Sequence, residues 1–293
     1  MPTLEEVQRY WRDHPAGEAE VARLAAERHD FFDERDRQTQ LLYPNLDADY
    51  GFARAQGKRT LELGCGMGYN AQRLAQYGAR LIVMDLTQRA VQLTGERFIL
   101  RDLPAAFLVA DAEHLPFATR AFEMIFSSGV IHHSPNTAQA AREIKRVLQV
   151  GGAATVMVYN RNLRWFWWNI VVILGALMWL LDRLPTRIRE RFLAVRPAWR
   201  NLVLSSGQRL RFADVVRAGT DFGGLLNPLS RVYTKHSARR LFSGLANFRF
   251  VTQFNYFRAL EENPSLLVRA VRRAMAWFDR RWGWFLIVHA EKP

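Results

Sequence analysis

The run Thr60-Leu61-Glu62-Leu63-Gly64-Cys65-Gly66-Met67-Gly68-Tyr69-Asn70 admits few folds. A short apolar stretch leads into glycines at alternate positions, and a helical pattern follows from Tyr69 to about Tyr77. Each glycine removes a Cβ where the backbone turns tightly or comes close to a ligand. The helix behind the turn aims its N-terminal amides at whatever lies over it. A second apolar run, Leu81-Ile82-Val83-Met84, ends in Asp85, 21 residues after Gly64. A βαβ nucleotide-binding unit carries its ribose-binding acid at about that separation.

The alternation continues downstream. Thr87 suits the N-cap of a helix reaching about Leu100. Ala106 to Val109 reads as a third strand and Phe122 to Ser128 as a fourth. Thr137 to Leu148 reads as a helix with Ala141, Ile144, Val147 and Leu148 as its buried stripe. Gly151-Gly152 is expected to end that helix, with Ala153 to Tyr159 as the fifth strand. Strands alternating with helices predict a parallel, doubly wound α/β sheet. Upstream, residues 4–37 are helical in pattern, with a break at Pro15-Ala16-Gly17 and Leu4, Val7 and Trp11 at helical spacing. That segment either covers the mouth of the site or simply caps the core. A short helix near Tyr50 to Gln56 leads into the first strand. One cysteine in 293 residues excludes an internal disulfide framework and fits a reducing compartment. The first residues, Met1 to Glu6, lack the basic and apolar regions of a secretory leader, so a cytoplasmic location is expected.

These residues resemble a known family. Leu61 to Gly68 is similar to motif I of class I S-adenosylmethionine-dependent methyltransferases, and Met84-Asp85-Leu86-Thr87 to their second motif. Asp111-Ala112-Glu113 with Leu115-Pro116-Phe117 resembles the adenine-side motif, and Arg146-Val147-Leu148 with Gly151-Gly152 the helix end before strand five. The subgroup is type 11, which includes quinone-ring methylases. The likeness covers about residues 55–160, with an echo at Trp284 to Pro293 that resembles the closing strand. It implies a Rossmann-like seven-stranded sheet and S-adenosyl-L-methionine as cofactor.

The resemblance also implies site residues: Glu62, Gly64, Cys65, Gly66, Gly68, Asp85, Leu86, Asp111, Ala112 and Ser127 around the cofactor. Asp85 would take the ribose hydroxyls and Asp111 the adenine amino group, with the Ala112 N–H donating to the ring. Glu62 would orient the methionine end. Cys65, between two glycines, reads as a small space-filler, because nothing near it in sequence forms a Cys/His pair. Methyl transfer needs alignment above all, and a base only if the acceptor must lose a proton. His132 and His133, in the loop after strand four, are the candidate catalytic residues. Tyr159, Asp221, Asn227 and Tyr233 are candidate substrate residues. No metal triad is evident.

Past Asn160 the chain departs from a minimal methyltransferase. Trp165 to Leu181 is 17 residues with one polar side chain, Asn169, flanked by Arg161, Arg164, Asp182 and Arg183. As an α-helix it would be roughly 25 Å long, short for a membrane span. Arg187, Arg189, Arg191, Arg196, Arg200, Arg209 and Arg211 follow, interleaved with apolar residues. The net charge is −2 over residues 1–150 and +15 over residues 151–293. The pattern predicts an interfacial or re-entrant helix and an anionic membrane surface as partner. The competing readings are a fully buried cap helix, a dimer seam or a solvated basic face. Nucleic acid is disfavoured as the acceptor, because Ser127-Ser128-Gly129-Val130 has neither a Pro-Cys nucleophile nor an Asn/Asp-Pro-Pro-aromatic clamp.

The sequence therefore predicts an N-terminal helical lid (1–54), a cofactor-binding core (55–160), an inserted, mainly helical, hydrophobic and basic cap (161–235) and a C-terminal return to the core (236–293). The expected function is methyl transfer to a hydrophobic or amphiphilic small molecule at the cytoplasmic membrane face. The alternatives are a soluble enzyme whose apolar cap closes the pocket and a non-catalytic membrane-docking protein.

Overall fold

The computed structural model describes residues 2–15, 28–43, 45–185, 227–253 and 281–293, together with residues 187, 188, 191, 212, 215, 216 and 277. Residues 246–257 read from their sequence as a strand, and its end at 254–257 lies outside the described residues, as do the basic residues Arg189, Arg196, Arg200, Arg209 and Arg211.

The strands are β1 (Arg59–Leu63), β2 (Arg80–Asp85), β3 (Ala106–Val109), β4 (Phe122–Ser128), β5 (Leu148–Asn160), β6 (Val232–Tyr233), β7 (Ala246–Gln253) and β8 (Phe285–Glu291). Their order is β3-β2-β1-β4-β5-β8-β7, with β6 paired to β5 off that path. Strands β1 to β5 are mutually parallel where they pair, and β8 runs antiparallel to both β5 and β7. The sheet is open and doubly wound, as expected, and has eight strands among the described residues where seven were expected. The extra one is the two-residue β6, which meets Tyr159 and Asn160 at the end of β5.

Side chains alternate across the sheet and build a core on each face. Leu61 and Leu63 join Ile125, Ile144, Val158 and Val288 on one face. Phe52, Phe98, Phe126 and Trp284 fill the other. The helices are α1 (Leu4–Asp13), α2 (Arg28–Leu42), α3 (Leu46–Tyr50), α4 (Tyr69–Gln76), α5 (Gln88–Leu100), α6 (Thr137–Val147), α7 (Gly175–Arg183) and α8 (Lys235–Leu241). Helix α1 begins in a capping box: Thr3 Oγ accepts from Glu6 N–H at 3.2 Å while Glu6 accepts from Thr3 N–H at 2.7 Å. Helix α2 is tied to α5 by Asp36 and the fully buried Arg97 at 2.7 Å, with the guanidinium 4.6 Å from the Phe32 ring centre.

Strand β5 starts at Leu148, earlier than expected. Its pairing with β4 shifts register between Phe122 and Met124, and Gly151-Gly152 lies in that irregularity instead of ending a helix. A Cβ on Gly152 would stand 2.9 Å from the carbonyl oxygens of Gln149 and Glu123, so only glycine lets the strand bulge here.

The apolar segment winds as a π-helix over Leu163–Leu174 and runs on into α7. It has two apolar faces. Phe166, Ile170, Met178 and Leu181 are buried, while Trp167, Trp168, Val172, Ile173, Trp179 and Leu180 are exposed. The contrast is large: Phe166 is 3 % and Met178 0 % exposed, against 60 % for Trp168 and 57 % for Trp179. Among the described residues no helix is long and apolar enough to cross a membrane.

Candidate functional site

The strand order reverses at β1, whose neighbours are β2 and β4. Open α/β sheets bind ligands outside the carboxyl ends of their strands at such a point. A cavity of about 170 Å³ lies there. One wall is Gly64, Gly66, Asp85, Leu86, Thr87, Asp111 and Ala112; the other is Ser128, Gly129, Val130, His133 and Pro135. Leu4, Val7 and Trp11 of α1 close it over, and Gln8 Nε2 pins the helix by donating to Leu86 O at 2.9 Å. The periodicity of Leu4, Val7 and Trp11 is legible in sequence; the surface they face is not.

The glycines divide the labour differently from the sequence expectation. A Cβ on Gly64 would fall 2.0 Å from Val130 Cγ2, and one on Gly68 2.7 Å from Thr94 Cγ2. Both residues have positive φ, so they serve close packing of the turn against the protein itself. Gly66 has nothing within 4 Å of the added atom and faces open space. Its N–H donates to Asp85 Oδ2 at 3.1 Å. Asp85 Oδ1 accepts from Thr87 N–H at 2.9 Å and from Thr87 Oγ–H at 3.1 Å. Oδ2 keeps capacity for a further donor. Burial raises the carboxyl's pKa, and the Thr87 and Gly66 bonds pull it back.

Asp111 Oδ1 accepts from Glu113 N–H at 2.9 Å, and its Oδ2 lies 3.0 Å from the exposed His114 Nδ1. Glu62, Cys65, Gly68 and Ser127 are not in the cavity wall. Glu62 is buried beneath the turn, and its Oε2 has no partner among the described residues. Burial, and then the charge of Asp85, push its pKa well above the usual carboxylate range. Cys65 is buried and its thiol is likewise pushed well up by burial. Ser127 is fully buried with its Oγ unpartnered among the described residues, and the neighbouring Ser128 reaches the wall instead. Ser128, whose Oγ lies 2.7 Å from Tyr50 OH, has no sequence signal beyond adjacency.

The two histidines occupy different places. His133 lines the cavity; His132 is fully buried behind it, with neither ring nitrogen hydrogen-bonded among the described residues. Their ring centres are 4.1 Å apart, and Tyr159 stands 4.1 Å from His132. Tyr159 stacks on Trp284 at 4.8 Å and does not line the cavity. Asn227 is buried against His133 Nδ1 at 2.7 Å. Tyr233 is half-buried on β6, and Asp221 lies outside the described residues.

Burial lowers the pKa of His132 well below its usual value and that of His133 to about 4. His289, buried between Thr155 Oγ at 3.0 Å and Asp49 O at 2.8 Å, also falls to about 4. The unfolded chain therefore binds more protons than the folded one between about pH 6.5 and 4, so these histidines remove stability as pH falls through that window. The raised carboxyls of Glu62 and Asp85 act in the opposite sense. The expected result is a difference. His133→Gln should unfold with a shallower acid dependence than wild type, the His133 share being on the order of 3 kcal/mol between pH 7 and pH 4. Urea titrations at several pH values check it; identical slopes would mean that His133 is charged in the folded protein.

Carboxylates at Asp85 and Asp111 in the cavity wall and the open space over Gly66 suit a ligand bearing hydroxyls and amines. S-adenosylmethionine has that donor set. The arrangement lies at the carboxyl end of a Rossmann-like sheet, with His133 lining the same cavity as the two carboxylates.

Residues 61–156 match the type 11 family described as a methyltransferase domain. The fold and that match support a class I S-adenosylmethionine-dependent methyltransferase domain over those residues. It is 33 % identical over 126 residues to the tRNA U34 carboxymethyltransferase of Methylococcus capsulatus, a match covering 42 % of this chain and 38 % of that one. The matches to the first curated relatives span between 21 % and 42 % of those proteins' lengths. A longer match joins the ubiquinone biosynthesis O-methyltransferase of Azoarcus sp. at 25 % identity, over 74 % of this chain and 91 % of that one. Among solved structures the cyclase SpnF shares the fold, with a TM-score of 0.56, 17 % identity and coverage of 100 % of this chain and 97 % of that one.

Proposed function

We propose that this protein transfers the methyl group of S-adenosylmethionine to a hydrophobic or amphiphilic small molecule, reached at the cytoplasmic face of a membrane. The observation that carries the reading is a shared cavity. His133 lines the same space as Asp85 and Asp111, so a group held by the two carboxylates lies in one compartment with an imidazole. When bound, the cofactor supplies an already activated methyl group. The chain's part is to hold it, exclude water and accept a proton. Leu4, Val7 and Trp11 supply the exclusion. His133, neutral at pH 7, takes the proton that the acceptor atom loses as it attacks the methyl carbon. The cavity walls beyond the carboxylates are largely apolar or aromatic, which favours an acceptor of the same character. Similarity to the quinone-pathway O-methyltransferase of Azoarcus sp. supports a small acceptor. The exposed apolar face of the cap helix supports delivery from lipid.

The test is transfer of label from tritiated-methyl S-adenosylmethionine into a total bacterial lipid extract. Wild type should label the organic phase. His133→Ala should lower the rate by roughly 10²- to 10⁴-fold while leaving S-adenosylhomocysteine affinity within about twofold. Label that goes only to added RNA would replace the acceptor class. A His133→Ala enzyme at full rate would remove the base.

A further inference from the structure

The segment returning from the cap to the sheet is built against His133. Asn227, 1 % exposed, accepts from Leu229 N–H through Oδ1 at 2.9 Å, an Asx turn, and donates from Nδ2 to Ser230 Oγ at 3.2 Å. The turn brings the Leu229 carbonyl oxygen to 2.7 Å from His133 Nδ1. A second tie holds the segment in place: Arg231 donates its N–H to His132 O at 3.0 Å and its guanidinium to Pro135 O at 2.8 Å. His133 lines the cavity, whereas Asn227 and Leu229 do not.

We propose that Asn227 is a positioning residue for His133: its turn aims the Leu229 carbonyl at Nδ1, so that Nδ1 carries the resting proton and Nε2 is left bare toward the cavity. A carbonyl oxygen has no proton to give, so this contact is attractive only when Nδ1 is N–H. The Asn227 Nδ2, also 2.7 Å from Nδ1, is a donor and favours the opposite tautomer. The protonated ring breaks that balance. Once Nε2 has taken a proton, Nδ1 is necessarily N–H; the Leu229 carbonyl at 2.7 Å attracts it, the Ser230 hydroxyl at 3.4 Å is a longer second acceptor, and the Asn227 Nδ2 cannot accept it. The Asn227 hydrogens have Ser230 Oγ to turn to. Of the titratable groups facing the ring, His132 is held neutral by burial and Tyr159 stands 5.4 Å away, so neither supplies a charge that would override the carbonyl. The arrangement orients the ring and stabilises its protonated form. The sequence offered Asn227 as a substrate contact; its place behind the imidazole makes it a support instead.

The inference rests on His133 being the base, and its test is kept separate from that reading. Histidine-¹⁵N-labelled protein saturated with S-adenosylhomocysteine is titrated by NMR, the His133 signals being those lost in His133→Gln. Wild type should show Nδ1 protonated and Nε2 bare at pH 7. Asn227→Asp, which puts an anionic acceptor beside Nδ1, should raise the His133 pKa by at least about one pH unit. Asn227→Ala should shift the ring toward the Nε2–H tautomer preferred by a solvent-exposed histidine side chain, with S-adenosylhomocysteine affinity unchanged. Asn227 variants whose tautomer and titration match wild type would overturn the proposal and leave the base assignment standing, whereas an Nε2–H ring in wild type would overturn the proposal and the base assignment together. Full methyl transfer by His133→Ala in the lipid-extract assay would instead remove the base assignment, whatever the tautomer.

Discussion

Asp85→Ala is expected to weaken S-adenosylhomocysteine binding by on the order of 2–4 kcal/mol, roughly 30- to 1000-fold. Two losses add. The buried carboxylate would be a charge-assisted acceptor for the ribose hydroxyls, each such bond contributing about 1.5–3 kcal/mol. It also organises the turn, because Gly66 N–H and both Thr87 donors converge on its two oxygens. Alanine leaves those donors without the acceptor that aligns them. Asp85→Asn separates the contributions. It keeps one acceptor oxygen and the shape but loses the charge, so its effect should fall between wild type and alanine. Isothermal titration calorimetry reads both variants. Affinity unchanged in Asp85→Ala would mean that the ribose is held elsewhere than at the end of β2.

The second large effect concerns lipid. The protein should sediment with anionic liposomes and far less with neutral ones. Arg161, Arg183, Arg187 and Arg191 are exposed around the apolar helix, and Arg183 stacks over Trp179 at 3.6 Å. At about 1 kcal/mol per arginine near an anionic surface, four supply roughly a thousandfold preference. Salt should weaken binding without abolishing it, because burial of Trp167, Trp168 and Trp179 is unscreened. The helix is expected to lie in the plane of the interface, since its opposite face, Phe166, Ile170 and Met178, is already committed to the protein core. Replacing Trp167, Trp168 and Trp179 with serine should release the protein while cofactor binding persists, as none of the three lines the cavity. A protein that ignores liposomes at low salt would remove the membrane partner. If the same substitutions turned a dimer into a monomer, the exposed face would be a seam between two copies.

Much of this architecture is legible in the chain because it is local. Strands β3 and β4 fall on Ala106–Val109 and Phe122–Ser128, as their apolar runs predict, and Thr87 caps α5 by accepting from Ala90 N–H at 3.3 Å. Hydrogen bonds within a turn and the two-residue period of a strand are written in neighbouring residues, so they need no knowledge of the fold. The type of the site is legible for the same reason: glycine turn, strand, acid and a second acid each announce themselves at short range. What the tertiary structure decided is which atoms converge. Gly64 and Gly68 spend their missing Cβ on Val130 and Thr94, partners 66 and 26 residues away. His133 and His132 are adjacent in sequence, yet one faces the cavity and the other the core, because a single 3₁₀ turn, Ile131–His133, rotates them apart. Asn227 joins His133 across 94 residues through packing of a segment whose composition gives no hint of its neighbour. The cap helix states the division most clearly. Its sequence determined that it is apolar all round; only the core cluster it joins, which covers one side and leaves the other to solvent, decided that it has two different faces.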